Sequence, residues 1–134
     1  TLSGVVHSWV LARAHRDEAV DYFYQALKAD IADIQGGTTM EGIHLAAMAG
    51  SVDFLQRCVP GLETRGGRLV FSPQWPEPLG ALEFPIFYRG YRLRLRIKGR
   101  EVQVSAGPGN QAPIEIECRG RVAHLQPGGT VRLS

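Results

Sequence analysis

Cysteine is scarce in this sequence, and so is any excess of charge of one sign. Only Cys58 and Cys118 occur, far apart and without histidine, cysteine or acidic partners at a metal-ligand spacing. Two such cysteines fit no disulfide framework, so both are predicted to be buried thiols and a cytoplasmic location is favoured. The net charge is only +2, with acids interspersed among the bases. Neither nucleic acid nor anionic lipid is therefore an expected partner.

Long apolar runs and a targeting leader are also missing. No run approaches the ~20 residues that a transmembrane helix needs, so no membrane partner is expected. The sequence opens Thr1-Leu2-Ser3-Gly4, without an initiator methionine or a basic leader, which predicts a piece of a longer protein. With 44% hydrophobic and 21% charged residues, the chain is expected to form a packed fold rather than a disordered tail.

Apolar residues recur at helical spacing over residues 3–59 and predict three helices. These helices are expected to end near residues 15, 30 and 58, and Val6 and Val10 are expected on the buried face of the first. The predicted N-cap residues are Ser3, Asp17 and either Thr38 or Thr39.

After Pro60-Gly61 the pattern changes to short alternating runs between glycine- and proline-rich turns. The pattern predicts a small antiparallel β-sandwich. In residues 92–98 apolar side chains alternate with arginine and lysine, so one face of that strand is expected in the core and a basic row in solvent. The predicted strands are 68–71, 82–88, 92–97, 101–105, 114–118, 122–125 and 130–133.

The predicted fold class is therefore α+β, with a helical domain at 1–59 and a β-sandwich domain at 60–134. Three helices of roughly forty-five residues cannot cover several apolar faces without a further layer. Trp9, Phe23 and Ile31 are expected to be under-covered, so an exposed apolar patch, homo-oligomerisation or contacts within a longer parent protein is expected.

Glycines, hydroxyls and an imidazole are concentrated between residues 36 and 44. A helix that begins within such a segment attracts phosphate or sulfate, because unpaired backbone N–H groups and the helix dipole favour an anion there. Thr38, Thr39 and His44 supply further donors. The same residues also suit an ordinary capped helix, with Glu41 assisting the cap and His44 merely buried.

The run from Gly37 to Gly50 closely resembles the C-terminal signature of glycoside hydrolase family 65, the phosphorylases of trehalose, maltose or kojibiose. Residues 1–3, 53–58 and 84–90 are also similar to family segments. The resemblance implies that residues 1–59 are the last helices of an (α/α)6 catalytic barrel whose N-terminal part is missing. It also implies that residues 60–134 are the small C-terminal β-sandwich of the family.

The resemblance further implies the chemistry of the parent, an inverting α-glucoside phosphorylase. A glutamic acid protonates the leaving oxygen of the disaccharide while inorganic phosphate attacks the anomeric carbon. Thr38, Thr39 and His44 are implied as phosphate contacts, with Ser3 a weaker candidate. The resemblance implies that this acid lies upstream of residue 1. No catalytic residue, metal or cofactor is therefore assigned to this chain, and it is expected to be inactive alone.

Two other functions stay open. One is a hydrolase of the same family that uses water in place of phosphate. The other is a carbohydrate-binding or interaction module that works through Trp75 and the basic sheet face, although Trp75 is expected to pack the linker onto the sandwich. His7 and His15 are too far apart for a chelating i, i+4 pair, and His124 stands alone, so none is predicted to be a metal ligand.

Overall fold

The computed structural model describes residues 2–33, 36–37, 40, 42–109 and 111–134, and it divides the chain into two compact units. The first unit is Thr1–Cys58 and the second is Val59–Ser134. Helices make up the first unit, and two four-stranded sheets make up the second. The predicted class of helices followed by a small β-sandwich is confirmed.

Within the residues that the structure describes, the helical unit has three α-helices and one π-helical turn. Val5, Ala26 and Ala47, one from each helix, form a buried cluster. Phe23 stacks on Phe54 with ring centroids 4.9 Å apart, so it is covered, contrary to the prediction. The elements are α1 (Leu2–Leu11), α2 (Arg16–Lys28), α3 (Leu45–Asp53) and the π-helical turn Phe54–Cys58.

The three predicted N-caps are wrong. Helix α1 already includes Leu2, so Ser3 lies inside it. The N-cap of α2 is His15. Asp17 lies in the first turn of the helix, where its negative carboxylate interacts favourably with the positive end of the helix dipole. Helix α3 begins at Leu45 rather than after Thr38 or Thr39. The reason is Gly42, whose φ of +99° is in the left-handed region and interrupts a right-handed helix.

Several apolar side chains of the helical unit lie in solvent. Val6 and Val10, predicted on the buried face of α1, are 43% and 65% exposed. Ile31 is 85% exposed, as expected for an under-covered side chain. Among the described residues no helix is long and apolar enough to span a bilayer.

The second unit stacks two sheets with the strand orders β1-β2-β6-β7 and β3-β4-β5-β8. All neighbouring strands pair antiparallel except β2 and β6, which are parallel, and this pair departs from the predicted antiparallel sandwich. A parallel pair needs a long crossover, which β3, β4 and β5 supply. The strands are β1 (Glu63–Arg65), β2 (Arg68–Phe71), β3 (Leu82–Tyr88), β4 (Tyr91–Lys98), β5 (Glu101–Ala106), β6 (Ile114–Cys118), β7 (Arg121–Leu125) and β8 (Thr130–Leu133).

The core of the second unit lies between the two sheets. Strand β4 alternates strictly between buried and exposed side chains, with Leu93, Leu95 and Ile97 fully buried and its basic residues in solvent, as predicted. Phe71 and Ile116, from the other sheet, are also fully buried in the same cluster. Cys118 is buried there too, whereas Cys58 is only half-buried.

Candidate functional site

His44 is the N-cap residue of α3, and the carboxylate of Asp30 holds it at two points. Its ring Nδ1 lies 2.5 Å from Oδ1 of Asp30, and its backbone N–H donates to Oδ2 at 2.9 Å. The side chain of Asp30 is 11% exposed and that of His44 is 27% exposed. A carboxylate just beyond the end of α2 therefore fixes both the main chain and the ring of the residue that begins α3.

The electrostatics of this pair determine which ring nitrogen of His44 is presented to a ligand. The hydrogen bond from the His44 ring, followed by the bond from its backbone N–H, holds the pKa of Asp30 below its usual value. An ionised carboxylate only accepts hydrogen bonds, so Nδ1 of His44 carries the proton in this contact. Nε2 is then the nitrogen with which His44 meets any other group.

The glycine-rich segment before His44 adopts backbone conformations that suit glycine. Gly36, Gly37 and Gly42 have φ values of +71°, +88° and +99°. The N–H of Gly37 donates to Oδ2 of Asp33 at 2.9 Å, so this turn is closed by its own side chain. The N–H of Gly36 donates to the carbonyl of Asp33 at 3.0 Å, so both N–H groups are paired within the turn.

Thr38 and Thr39, two of the predicted phosphate contacts, lie outside the described residues, as does Glu41. Their assignment stays a prediction.

Ser3, the weaker candidate, is exposed in the first turn of α1. Its carbonyl accepts a hydrogen bond involving Nδ1 of His7 at 2.7 Å. Val5, in the first turn of α1, and Ala47, in the first turn of α3, belong to the same buried cluster. Within the part of the chain that the structure describes, no hydrogen bond joins Ser3 to His44, and the role of Ser3 stays a prediction.

Sequence reasoning missed Asp30 as a site residue. It lies fourteen positions before His44, a separation that corresponds to no helical or strand period, and the sequence marks it only as the end of a helix. Over the described ranges, no group of three or more His, Cys, Asp or Glu side chains is arranged to hold a metal ion.

The features assigned to a binding module have ordinary structural roles in the sandwich. Trp75 packs against the core, as predicted, and its Nε1 is buried. On the outer face of the second sheet, Arg96 pairs with Glu83 at 2.9 Å. Arg96, one member of the basic row, is therefore neutralised by a carboxylate of its own sheet.

Comparison with known proteins connects both units to one family. The model of the glycosyl hydrolase family 65 central catalytic domain matches residues 1–53. The model of the C-terminal domain of the same family matches residues 62–125. His44 and Asp30 both lie in the part that matches the catalytic domain.

Individual relatives agree with the family models. An uncharacterized glycosyl hydrolase of Mycobacterium tuberculosis strain H37Rv is 62% identical over 133 residues, which are 99% of this chain and 10% of that protein. The trehalose 6-phosphate phosphorylase of Lactococcus lactis subsp. lactis is 33% identical over 90 residues, 67% of this chain and 12% of that enzyme.

A solved structure shares the fold. A human-microbiome protein assigned as a kojibiose phosphorylase superposes with a TM-score of 0.81 at 19% identity, over 97% of this chain and 17% of its own. This chain spans about a tenth of the length of the two curated relatives described above. The chain belongs to glycosyl hydrolase family 65 and carries part of its central catalytic domain together with its C-terminal domain.

Proposed function

We propose that this chain is part of an inverting α-glucoside phosphorylase and that the segment from Thr38 to His44 forms part of its phosphate site. The observation that carries the proposal is the pair of contacts that the Asp30 carboxylate makes with the ring and with the backbone N–H of His44. It gives the family-matching segment an oriented imidazole at the beginning of α3, where the helix dipole also favours an anion.

The proposed reaction uses phosphate as the nucleophile. A glutamic acid in the longer protein protonates the glycosidic oxygen, and the bond between that oxygen and the anomeric carbon breaks. A phosphate oxygen forms the new bond from the opposite side of the sugar, which gives β-glucose 1-phosphate and the free second sugar. Phosphate must therefore be held apart from the acid, and Thr38, Thr39, His44 and Ser3 are the proposed contacts.

The names of the relatives support a phosphorylase but leave room for a hydrolase. The Lactococcus relative is a trehalose 6-phosphate phosphorylase, whereas the more similar mycobacterial relative is named only as a glycosyl hydrolase. A family 65 hydrolase, in which water takes the place of phosphate, is the second candidate. The two enzymes differ in whether phosphate appears in the product.

The chain alone is proposed to be inactive, because it lacks the acid that protonates the leaving oxygen. Exposed apolar side chains on the helical unit fit the same proposal, since Ile31, Ile43 and Leu45 are 71% to 85% exposed. The missing part of the (α/α)6 barrel is the proposed cover for these side chains, and a homo-oligomer is the alternative. We place the protein in the cytoplasm, with α-linked glucose disaccharide and inorganic phosphate as its substrates and no organic cofactor.

Product analysis of the full-length parent tests the proposal. The enzyme is incubated with trehalose, trehalose 6-phosphate, maltose or kojibiose, with and without inorganic phosphate, and the products are identified by NMR. We expect β-glucose 1-phosphate from at least one disaccharide, and only when phosphate is present. Release of free glucose at the same rate without phosphate would establish the hydrolase instead.

A further inference from the structure

We infer that Asp30 is a positioning residue of the phosphate site, which orients the His44 imidazole so that Nε2 meets the phosphate. The inference rests on the proposed function, and it adds to the site a residue outside the glycine-rich segment. Asp30 follows the end of α2 and His44 precedes α3, so their contact joins two residues fourteen positions apart in the sequence.

The geometry supports orientation rather than simple charge pairing. The two oxygens of Asp30 contact two different groups of one residue, the ring Nδ1 and the backbone N–H of His44. The backbone bond fixes the carboxylate relative to the main chain of His44, and the ring bond then fixes the direction of the imidazole. By contrast, Nδ1 of the exposed His7 contacts a carbonyl one turn earlier in its own helix.

The chemistry of the contact suits an anionic ligand. Nδ1 of His44 donates its proton to Asp30. Nε2, on the opposite edge of the ring, is therefore the nitrogen that faces the phosphate. The ring itself keeps the carboxylate away from the anion, so the two negative groups do not meet.

Asp30 could instead act only as a cap, because it accepts the backbone N–H of the residue that begins α3. A cap stabilises the helix whatever side chain residue 44 carries, whereas a positioning residue acts through the imidazole. The two roles therefore differ in their dependence on the His44 side chain.

A double-mutant cycle in the full-length parent separates these roles. The variants are Asp30→Asn, His44→Ala and the double variant. Asp21→Asn, at an exposed position of α2, is the control with the same change of charge. Steady-state kinetics with inorganic phosphate and with the disaccharide are measured for each, and thermal unfolding shows that each is folded.

We expect Asp30→Asn to lower kcat/KM for phosphate about tenfold, the low end for loss of a hydrogen bond to a charged group. The KM for the disaccharide should change less than about twofold, and Asp21→Asn should match the wild type. In the His44→Ala background, Asp30→Asn should have no further effect on phosphate kinetics.

Two results would overturn the inference while the phosphorylase proposal stands. One is wild-type phosphate kinetics in folded Asp30→Asn; the same result in folded His44→Ala would also remove His44 from the proposed phosphate site. The other is an equal loss from Asp30→Asn with and without the His44 side chain, which would assign Asp30 to the fold. A wild-type parent that forms no β-glucose 1-phosphate would overturn the proposed function itself, and the inference with it.

Discussion

Gly50 of α3 packs directly against Val5 and Trp9 of α1. A Cβ at this position would lie 2.5 Å from Cγ1 of Val5 and 3.3 Å from Cζ2 of Trp9. Favourable carbon–carbon contacts begin near 3.5 Å, so a Gly50→Ala variant must push the helices apart by roughly 1 Å or rotate Val5. Val5 is buried and β-branched, so its rotation is restricted.

The expected cost of Gly50→Ala is the difference between two effects. Overpacking of a core costs about 1 to 3 kcal/mol, and the hydrogen bond from Nε1 of Trp9 to the Gly50 carbonyl, now 3.2 Å long, would weaken as the helices separate. Alanine regains about 1 kcal/mol over glycine in a helix. With about 0.5 kcal/mol for the weakened hydrogen bond, we expect a net loss of about 0.5 to 2.5 kcal/mol in the free energy of unfolding.

Gly4 in α1 provides the matched control. A Cβ there would meet nothing nearer than 3.8 Å, an ordinary van der Waals distance, so Gly4→Ala should be neutral or stabilise by about 0.5 kcal/mol. Unfolding of the chain is followed by circular dichroism at 222 nm, which reports the helices. The reasoning is refuted if Gly50→Ala is as stable as the wild type, or if both variants shift in the same direction by the same amount.

Two further predictions concern stability. Leu95→Ala should cost about 2 to 5 kcal/mol in urea unfolding because Leu95 is fully buried between the sheets, whereas Arg94→Ala on the exposed face should stay within about 0.5 kcal/mol; equal costs would contradict the assigned faces. The lowered pKa of Asp30 gives a stabilisation that is present above the ordinary carboxyl pKa of 3.8 and is lost as pH falls through the folded value. The difference in the free energy of unfolding between wild type and Asp30→Asn should therefore decrease from pH 7 to pH 2. A constant difference would show that the ionised carboxylate of Asp30 does not stabilise the fold.

The strands of the sandwich could be predicted closely from the sequence because two patterns agree. Apolar and polar residues alternate within most strands, and glycine- and proline-rich turns mark where most of them end. The ranges 82–88 and 114–118 have the predicted bounds, and 92–97 extends by one residue at each end. Strand β1 was missed because Glu63–Arg65 is exposed throughout and has no apolar residue. Local patterns also contain no information on which distant strands pair, so the parallel contact of β2 with β6 could not be foreseen.

The candidate site was less predictable than the sandwich. The resemblance gave the segment and His44, but threonine caps were predicted where the helix had not yet begun, because the left-handed φ of Gly42 is invisible in a propensity argument. The contact of Asp30 with His44 depends on how the chain turns between two helices. This contact depends on tertiary structure, so the hydrophobic periodicity of the sequence does not predict it.

The most direct measurement of the central claim is the phosphate kinetics of Thr39→Val and His44→Ala in the full-length parent. If these residues contact the nucleophile, each variant should lose roughly tenfold to a hundredfold in kcat/KM for phosphate, while the KM for the disaccharide changes comparatively little. Folded variants with wild-type phosphate kinetics would show that the segment from Thr38 to His44 does not bind phosphate and only precedes helix α3.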